Sequence, residues 1–194
     1  MRGIVSGVSR KVRSSQTSFS ERIMHMPGLV RPVLDERDNL LTFLAQERSA
    51  LRTSAFGLTD EQARTRPTAS TLTIGGLIKH VAFVETNWVN TILERRDSPP
   101  DAYLASFDLG VDETLAGALE HYDAVAKRTE ATIAEIPDLN QAVPVPKGVP
   151  WYPDDVDAWS VRWVLAHLMH ETSRHAGHAD IIRESLDEIG RAHV

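Results

Sequence analysis

The spacing of apolar residues along the chain predicts four long amphipathic helices. Apolar side chains recur every three or four residues in four segments, which is the repeat of a helix with one buried face. These segments span about residues 33–56, 74–95, 112–136 and 160–186. Because no segment shows a sustained strand-like alternation and none repeats another, we expect an all-α four-helix bundle.

Residues that favour helix ends support these boundaries. Thr73 precedes the second segment and Ser160 precedes the fourth, and both residue types are good N-caps. We expect the third helix to begin at Asp112. Thr59 is followed three residues later by Gln62, a spacing that predicts a capping box and one short helical turn after the first long helix.

Two of the connections between the predicted helices are long. Residues 97–111 join the second helix to the third, and we expect Tyr103, Leu104 and Phe107 to pack onto the bundle. The proline-rich residues 137–158 join the third helix to the fourth. Since Trp151, Tyr152 and Trp159 lie at the end of this loop, we expect it to be packed and to form a wall of a pocket.

Charge divides the 194-residue chain, whose formal net charge is −6, into a basic head and an acidic body. The head is rich in serine and has no apolar h-region, so we expect residues 1–29 to be a flexible tail or an upstream start rather than a secretory signal. We assign the bundle to residues 30–188 and a short tail to 189–194. The acidic body argues against nucleic acid as a partner, and the lack of a long apolar run argues against a membrane span. We therefore expect a cytoplasmic protein.

The chain contains no cysteine. Disulfides, iron–sulfur clusters, thiolate zinc sites and a cysteine nucleophile are therefore excluded. Any metal site must use histidine and carboxylate ligands, and any thiol chemistry must take its sulfur from an external molecule.

Polar side chains occupy positions of the fourth helix that its repeat reserves for apolar residues. The repeat continues from Leu168 to Glu171, His175 and His178. A buried carboxylate needs a partner, and Glu171 and His175, four residues apart, can reach the same cation. His80, in an apolar turn of the second helix, is the simplest third ligand. The sequence thus predicts a divalent metal site made of His80, Glu171 and His175.

Other roles remain open at the level of sequence. His178 is a candidate catalytic base, a reserve ligand or a hydrogen-bond donor to a ligand. Arg174 and Arg183 are candidates for binding an anionic cofactor, but they could instead pair with neighbouring acidic residues. Without a metal, Glu171 and His175 would form a buried ion pair, and His80 would be an ordinary core histidine.

The string HETSRH resembles the HExxH motif of zinc proteases but lacks its spacing. The residue four positions after His170 is Arg174 rather than histidine. We therefore do not predict a protease, and we expect His167 and His170 to lie on the flanks of the site.

Two strings of the sequence carry a family resemblance: TIGGLIKHVAFVETNW and WSVRWVLAHLMHETSRHAGHADIIRE. Together they resemble the DinB-like superfamily, and most closely its uncharacterised actinobacterial branch related to mycothiol-dependent maleylpyruvate isomerases and thiol S-transferases. The resemblance covers about residues 30–188. It implies a bundle with a metal held by three side chains from two helices, which fall here on His80, Glu171 and His175. Glutamate at 171 departs from the all-histidine pattern but is similar to the isomerases.

The resemblance implies a metal-dependent enzyme that uses an external low-molecular-weight thiol such as mycothiol, of the S-transferase or isomerase type. Ligands of nitrogen and oxygen suit Zn, Ni, Co, Mn or Fe. Two alternatives stay open: a metal-dependent hydrolase, or a non-catalytic, stress-associated protein that binds a metal or small ligand. We expect a small-molecule substrate and possible homodimers, which are common among similar bundles.

Overall fold

The structure, a computed structural model, describes residues 29–93, 101–149 and 152–187. The predictions about the two chain ends before residue 29 and after residue 187 lie outside these residues. The described residues form six helices and one small antiparallel sheet, in the following order: α1 (Glu36–Ser54), α2 (Asp60–Arg64), α3 (Ile74–Ile92), α4 (Ala102–Ala105), α5 (Leu115–Ala134), β1 (Ala142–Pro144), β2 (Ala158–Ser160) and α6 (Val161–Asp187). The predicted helical bundle is confirmed.

The predicted helix caps are largely confirmed. Thr73 accepts a hydrogen bond from the backbone of Gly76 at 3.0 Å, and Ser160 accepts one from the backbone of Trp163 at 3.1 Å. The capping box at the start of α2 is also present. These side chains bind backbone N–H groups that a helix leaves unpaired at its first turn, which is why the helices begin where they do.

Two helix starts differ from the prediction, and two short features were not predicted. Helix α1 begins at Glu36, because the side chain of Asp35 caps its first turn. The predicted start of the third helix at Asp112 is wrong, since Thr114 caps α5 instead. The short helix α4 and the pairing of β1 with β2 were not predicted, because elements of three or four residues are too short to show a repeat.

The long helices enclose two hydrophobic clusters of buried residues. Helix α1 packs mainly on α6, and α3 packs on both α5 and α6. The sheet closes one end of the bundle, where Val143 pairs with Trp159 and is fully buried. The proline-rich loop is therefore packed, as predicted, although Trp151 lies outside the described residues. In residues 97–111, the prediction that Leu104 packs onto the bundle is wrong, because its side chain is 73% exposed. Among the described helices, none has the length and apolar character needed to cross a membrane.

Two glycines at the start of α3 allow residues 102–109, which we call the α4 segment, to approach closely. A Cβ atom at Gly75 would lie 2.7 Å from the Leu109 side chain, and one at Gly76 would overlap the backbone carbonyl of Phe107. Any larger residue at Gly76 would therefore push this segment away from α3. The close approach matters because the segment covers His80, as described below.

A network of polar side chains crosses the middle of the bundle. The side chains of Arg48 and Glu85 are each only 1% exposed, and Arg48 donates two hydrogen bonds to the Glu85 carboxylate, at 2.5 and 3.1 Å. Arg48 also binds Glu130 at 3.0 Å, and Thr129 donates to Glu85. We call these four residues the Arg48 network. It joins α1, α3 and α5 across the core.

Candidate functional site

His80 lies on the buried face of α3 and is held by a serine of the connection that follows α3. Its Nδ1 atom lies 2.8 Å from the Ser106 hydroxyl, and that hydroxyl donates to the backbone oxygen of Tyr103 at 2.6 Å. Because its only proton goes to Tyr103, the Ser106 oxygen must accept the Nδ1 proton of His80. This fixes the tautomer and leaves the lone pair on Nε2, the arrangement found in metal-binding histidines.

Aromatic side chains fix the plane of the His80 ring. Phe107 stacks on it with ring centroids 3.7 Å apart and an angle of 20°. Tyr103 meets it edge-on at 5.5 Å. Burial, assisted by the nearby His175, lowers the pKa of His80 to about 4. The imidazole is therefore neutral at pH 7, which is the form that binds a metal.

Helix α6 brings His175 and Glu171 to the same place. The rings of His80 and His175 are 5.0 Å apart at an angle of 82°, and Nε2 of His175 lies 3.7 Å from Oε2 of Glu171. The interaction with the His175 side chain lowers the pKa of Glu171 to about 2, and the charges of His167 and Arg174 contribute. The carboxylate is thus ionised. The structure brings together the three residues predicted as metal ligands.

His178 follows one turn after His175, and the two ring centroids are 5.6 Å apart. Burial lowers the pKa of His178. Within the described part of the chain, the buried Nδ1 atoms of His175 and His178 have no hydrogen-bond partner. We call His80, Glu171, His175 and His178 the histidine cluster.

The prediction that Glu171 and His178 lie in the apolar core is wrong. Both are partly exposed, whereas Thr172 and Ala179 beside them are buried. The predicted line of core residues follows a repeat of 3.5, but a straight helix with 3.6 residues per turn rotates away from such a line by about 20° every seven residues. The two side chains therefore lie at the edge of the bundle, where a ligand can reach them.

The donor set fits a divalent cation. Two imidazoles and a carboxylate are ligands that Zn and related first-row metals accept. Polar atoms that are buried without a partner are costly, and the free Nδ1 of His175 shows that its protein neighbours do not complete this cluster. His80, Glu171 and His175 are the residues that would hold the ion.

The two candidate arginines differ in their surroundings. Arg183 is buried, pairs with Asp187 at 2.9 Å, and donates to the backbone oxygens of Ser54 and Phe56. It therefore joins α6 to the end of α1. Of the two roles left open for Arg183, pairing with a neighbouring acidic residue is the one that the structure shows. Arg174 is exposed, and its charge lowers the pKa of His178. It lies beside the histidine cluster.

The sequence did not predict Ser106 as a residue of the site, and it placed His167 and His170 only on the flanks. Ser106 gave no signal of its own, although the two adjacent glycines at the start of α3 indicate a close approach of another segment. His167, expected on the flank, stacks on Trp163 with centroids 5.0 Å apart. One ligand atom from each of His167, His170 and Glu171 lies within 4.8 Å of the others.

A cavity of about 480 Å³ lies on the other side of Ser106. Side chains of α3, α4 and the first half of α5 line it, and they include Phe83 and Leu109. The ion pair between Lys79 and Glu113, 2.7 Å long, also lines it. The hydroxyl that holds His80 thus borders a mainly apolar space.

Comparisons with known proteins show the family and the fold of this chain. The family profile described as mycothiol S-transferase matches residues 39–188. A conserved protein from Enterococcus faecalis, known from a crystal structure, has a TM-score of 0.63 at 12% identity, with 81% of this chain and 100% of that one covered. At this identity the likeness shows the fold alone. No curated protein matches the chain. Since the profile covers the bundle from α1 to α6, the predicted resemblance is confirmed, and the chain belongs to the mycothiol S-transferase family.

Proposed function

We propose that this protein is a metal-dependent S-transferase that joins an external thiol, mycothiol by its family, to a small electrophile. The observation that carries the proposal is the fixed tautomer of His80 beside His175 and Glu171. This arrangement brings the imidazole of His80 next to that of His175, and the ionised carboxylate of Glu171 next to His175, between α3 and α6. The chain has no thiol of its own, so the reacting sulfur must come from a substrate.

The site residues would divide the work as follows. A divalent cation bound by His80, Glu171 and His175 would lower the pKa of the substrate thiol and favour the thiolate. His178 would accept the thiol proton, because it is neutral and its Nδ1 has no partner among the described residues. Arg174 would hold an anionic group of a substrate, since its guanidinium is exposed beside the cluster. We assign no ligand to Arg183, whose hydrogen bonds are made within the protein.

The chemical step is a substitution. The thiolate sulfur forms a bond to the electrophilic carbon, and the leaving group departs with its bonding pair. The thiol proton ends on His178 and passes from there to solvent. Phe107 and the α4 segment cover His80 from one side, which limits the access of water to that ligand.

The test combines metal content with thiol consumption. Protein without a histidine tag is reconstituted with a divalent metal, its metal content is measured, and mycothiol loss is followed with an activated aryl halide. We expect near-stoichiometric metal and turnover in the wild type, and loss of both in His80→Ala and His175→Ala. His121→Ala removes an exposed histidine of α5 and serves as the matched control.

Two outcomes would contradict the proposal. If the wild type binds no metal after reconstitution, the site is wrong. If it binds metal but consumes no thiol above the two histidine variants, the S-transferase activity is wrong. Turnover of ester or amide substrates by the same metal-loaded protein would then favour the hydrolase alternative.

A further inference from the structure

We infer that a second divalent cation binds on the solvent side of the histidine cluster, to His167, His170 and Glu171. This outer site deepens the proposed function and rests on it, because the two sites would share the Glu171 carboxylate. The site of His80, Glu171 and His175, which we call the inner site, takes its ligands from α3 and α6. The outer site uses α6 alone.

The first argument is the position of the ligand atoms. His167, His170 and Glu171 follow the i, i+3, i+4 spacing that places side chains on one face of a helix. One nitrogen or oxygen from each of them lies within 4.8 Å of the other two. Two imidazoles and a carboxylate are a ligand set that zinc and other first-row metals accept, with further positions left for water.

The second argument is the division of the Glu171 carboxylate between two histidines. Its Oε2 atom lies 3.7 Å from Nε2 of His175, on the inner side. Its Oε1 atom lies 3.8 Å from Nδ1 of His170, on the outer side. One carboxylate thus has an oxygen for each site, which is how a carboxylate can bridge two cations.

The third argument is that the ring of His167 is already fixed. It stacks on Trp163 at 5.0 Å and 9°, and it meets Trp88 edge-on at 4.9 Å. Trp88 is buried in the core, so this contact ties the ring to the body of the protein. A ligand held in place before the metal arrives loses little conformational freedom on binding.

The outer site would bind its ion more weakly than the inner one. The side chain of His170 is 62% exposed, so it must be ordered when the ion binds. The charge of Arg174 acts on both His167 and Glu171 and repels a cation. We therefore expect the two sites to fill in order, the inner one first.

Metal titration of the untagged, metal-free full chain tests the inference. Co²⁺ is added while its visible absorption is followed, and Zn²⁺ binding is measured by calorimetry. We expect two equivalents in the wild type. His170→Gln should lose only the weaker equivalent, His80→Ala only the tighter one, and Glu171→Gln both. His121→Gln, which removes an exposed histidine away from the cluster, should keep both equivalents.

Each other result decides between the two sites. Saturation of the wild type at one equivalent that His80→Ala removes would refute the outer site and leave the inner one. One equivalent that only His170→Gln removes would refute the inner site and keep the outer one. Two equivalents that His170→Gln retains would also refute the outer site, and no binding at all would refute both.

Discussion

Two groups of polar side chains differ in how fully the protein satisfies their hydrogen-bonding atoms. In the Arg48 network, Arg48 and Glu85 bind each other and further partners on α5. In the histidine cluster, within the described residues, Nδ1 of His175 and Nδ1 of His178 have no partner. An unpaired buried polar group costs about 1–3 kcal/mol. The Arg48 network is thus satisfied within the protein, whereas the histidine cluster, our proposed metal site, keeps buried nitrogen atoms without a partner among the described residues.

The sharpest test of this contrast is Glu85→Ala. The change leaves the Arg48 guanidinium buried without its main partner, and breaking a buried ion pair in this way costs about 3–5 kcal/mol. We expect a loss of that size in the free energy of unfolding, measured in urea at neutral pH. The folded fraction should still bind metal with unchanged stoichiometry.

Glu130→Ala is the matched control, because the side chain of Glu130 is 51% exposed. Ion pairs with an exposed partner contribute about 0–1 kcal/mol. A larger loss in Glu130→Ala than in Glu85→Ala would contradict the structural role of the network. If Glu85→Ala does not fold, the double variant Arg48→Met, Glu85→Leu should recover folding, since it removes both charges.

Gly76→Ala should disturb both the fold and the histidine cluster. The new methyl group would meet the backbone carbonyl of Phe107, and an overpacked contact of this kind costs about 1–3 kcal/mol. Because Phe107 stacks on His80, metal binding should weaken as well. Thermal unfolding and calorimetry measure the two effects.

Gly177→Ala provides the opposite expectation. Gly177 lies on α6 with no atom close to the position of its missing Cβ. Alanine there should stabilise the protein by up to about 1 kcal/mol, because it favours the helix over glycine. If Gly76→Ala and Gly177→Ala destabilise the protein equally, the close approach of Phe107 to Gly76 is not the cause of the loss of stability.

Ser106→Ala should act on the histidine cluster alone. The change removes the acceptor that fixes the His80 tautomer, and loss of such a partner typically lowers metal affinity or activity by about 10- to 100-fold. Ser54→Ala is the control, since that hydroxyl is also buried but binds a carbonyl of its own helix. If the two variants bind metal equally well, Ser106 does not position His80.

Arg174→Gln should give the smallest effect. An exposed charge contributes about 0.5–1 kcal/mol, so KM for the thiol should rise about two- to fivefold, with unchanged stability. Arg183→Gln should do the reverse, lowering stability without changing KM, because Arg183 binds Asp187, Ser54 and Phe56. If KM for the thiol rises in Arg183→Gln but not in Arg174→Gln, the assignment of substrate binding to Arg174 is wrong.

The helical architecture could be predicted because its signals are local. A repeat of three and four residues defines each long helix, and Thr73 and Ser160 mark two of the starts. The prediction failed for α5, where Asp112 and Thr114 compete as caps, because either residue type satisfies the same local rule. It also missed α4 and the sheet, which contain too few residues to show a repeat.

The candidate site could be predicted only in part, for a physical reason. His80, Glu171 and His175 stand out because polar residues interrupt an apolar repeat, and that interruption is visible in one dimension. Ser106 does not stand out in the sequence. Its role depends on the carbonyl of Tyr103, three residues before it, and on the ring of His80 on α3.

By itself, the sequence determined the helices, the polar interruption of α6 and the lack of any cysteine thiol in the chain. The tertiary structure decided which side of α6 faces the core, how Arg183 is used and how the tautomer of His80 is fixed. The reason is that the first set depends on spacing along one helix or on composition. The second depends on the direction in which separate helices meet, which no local pattern encodes.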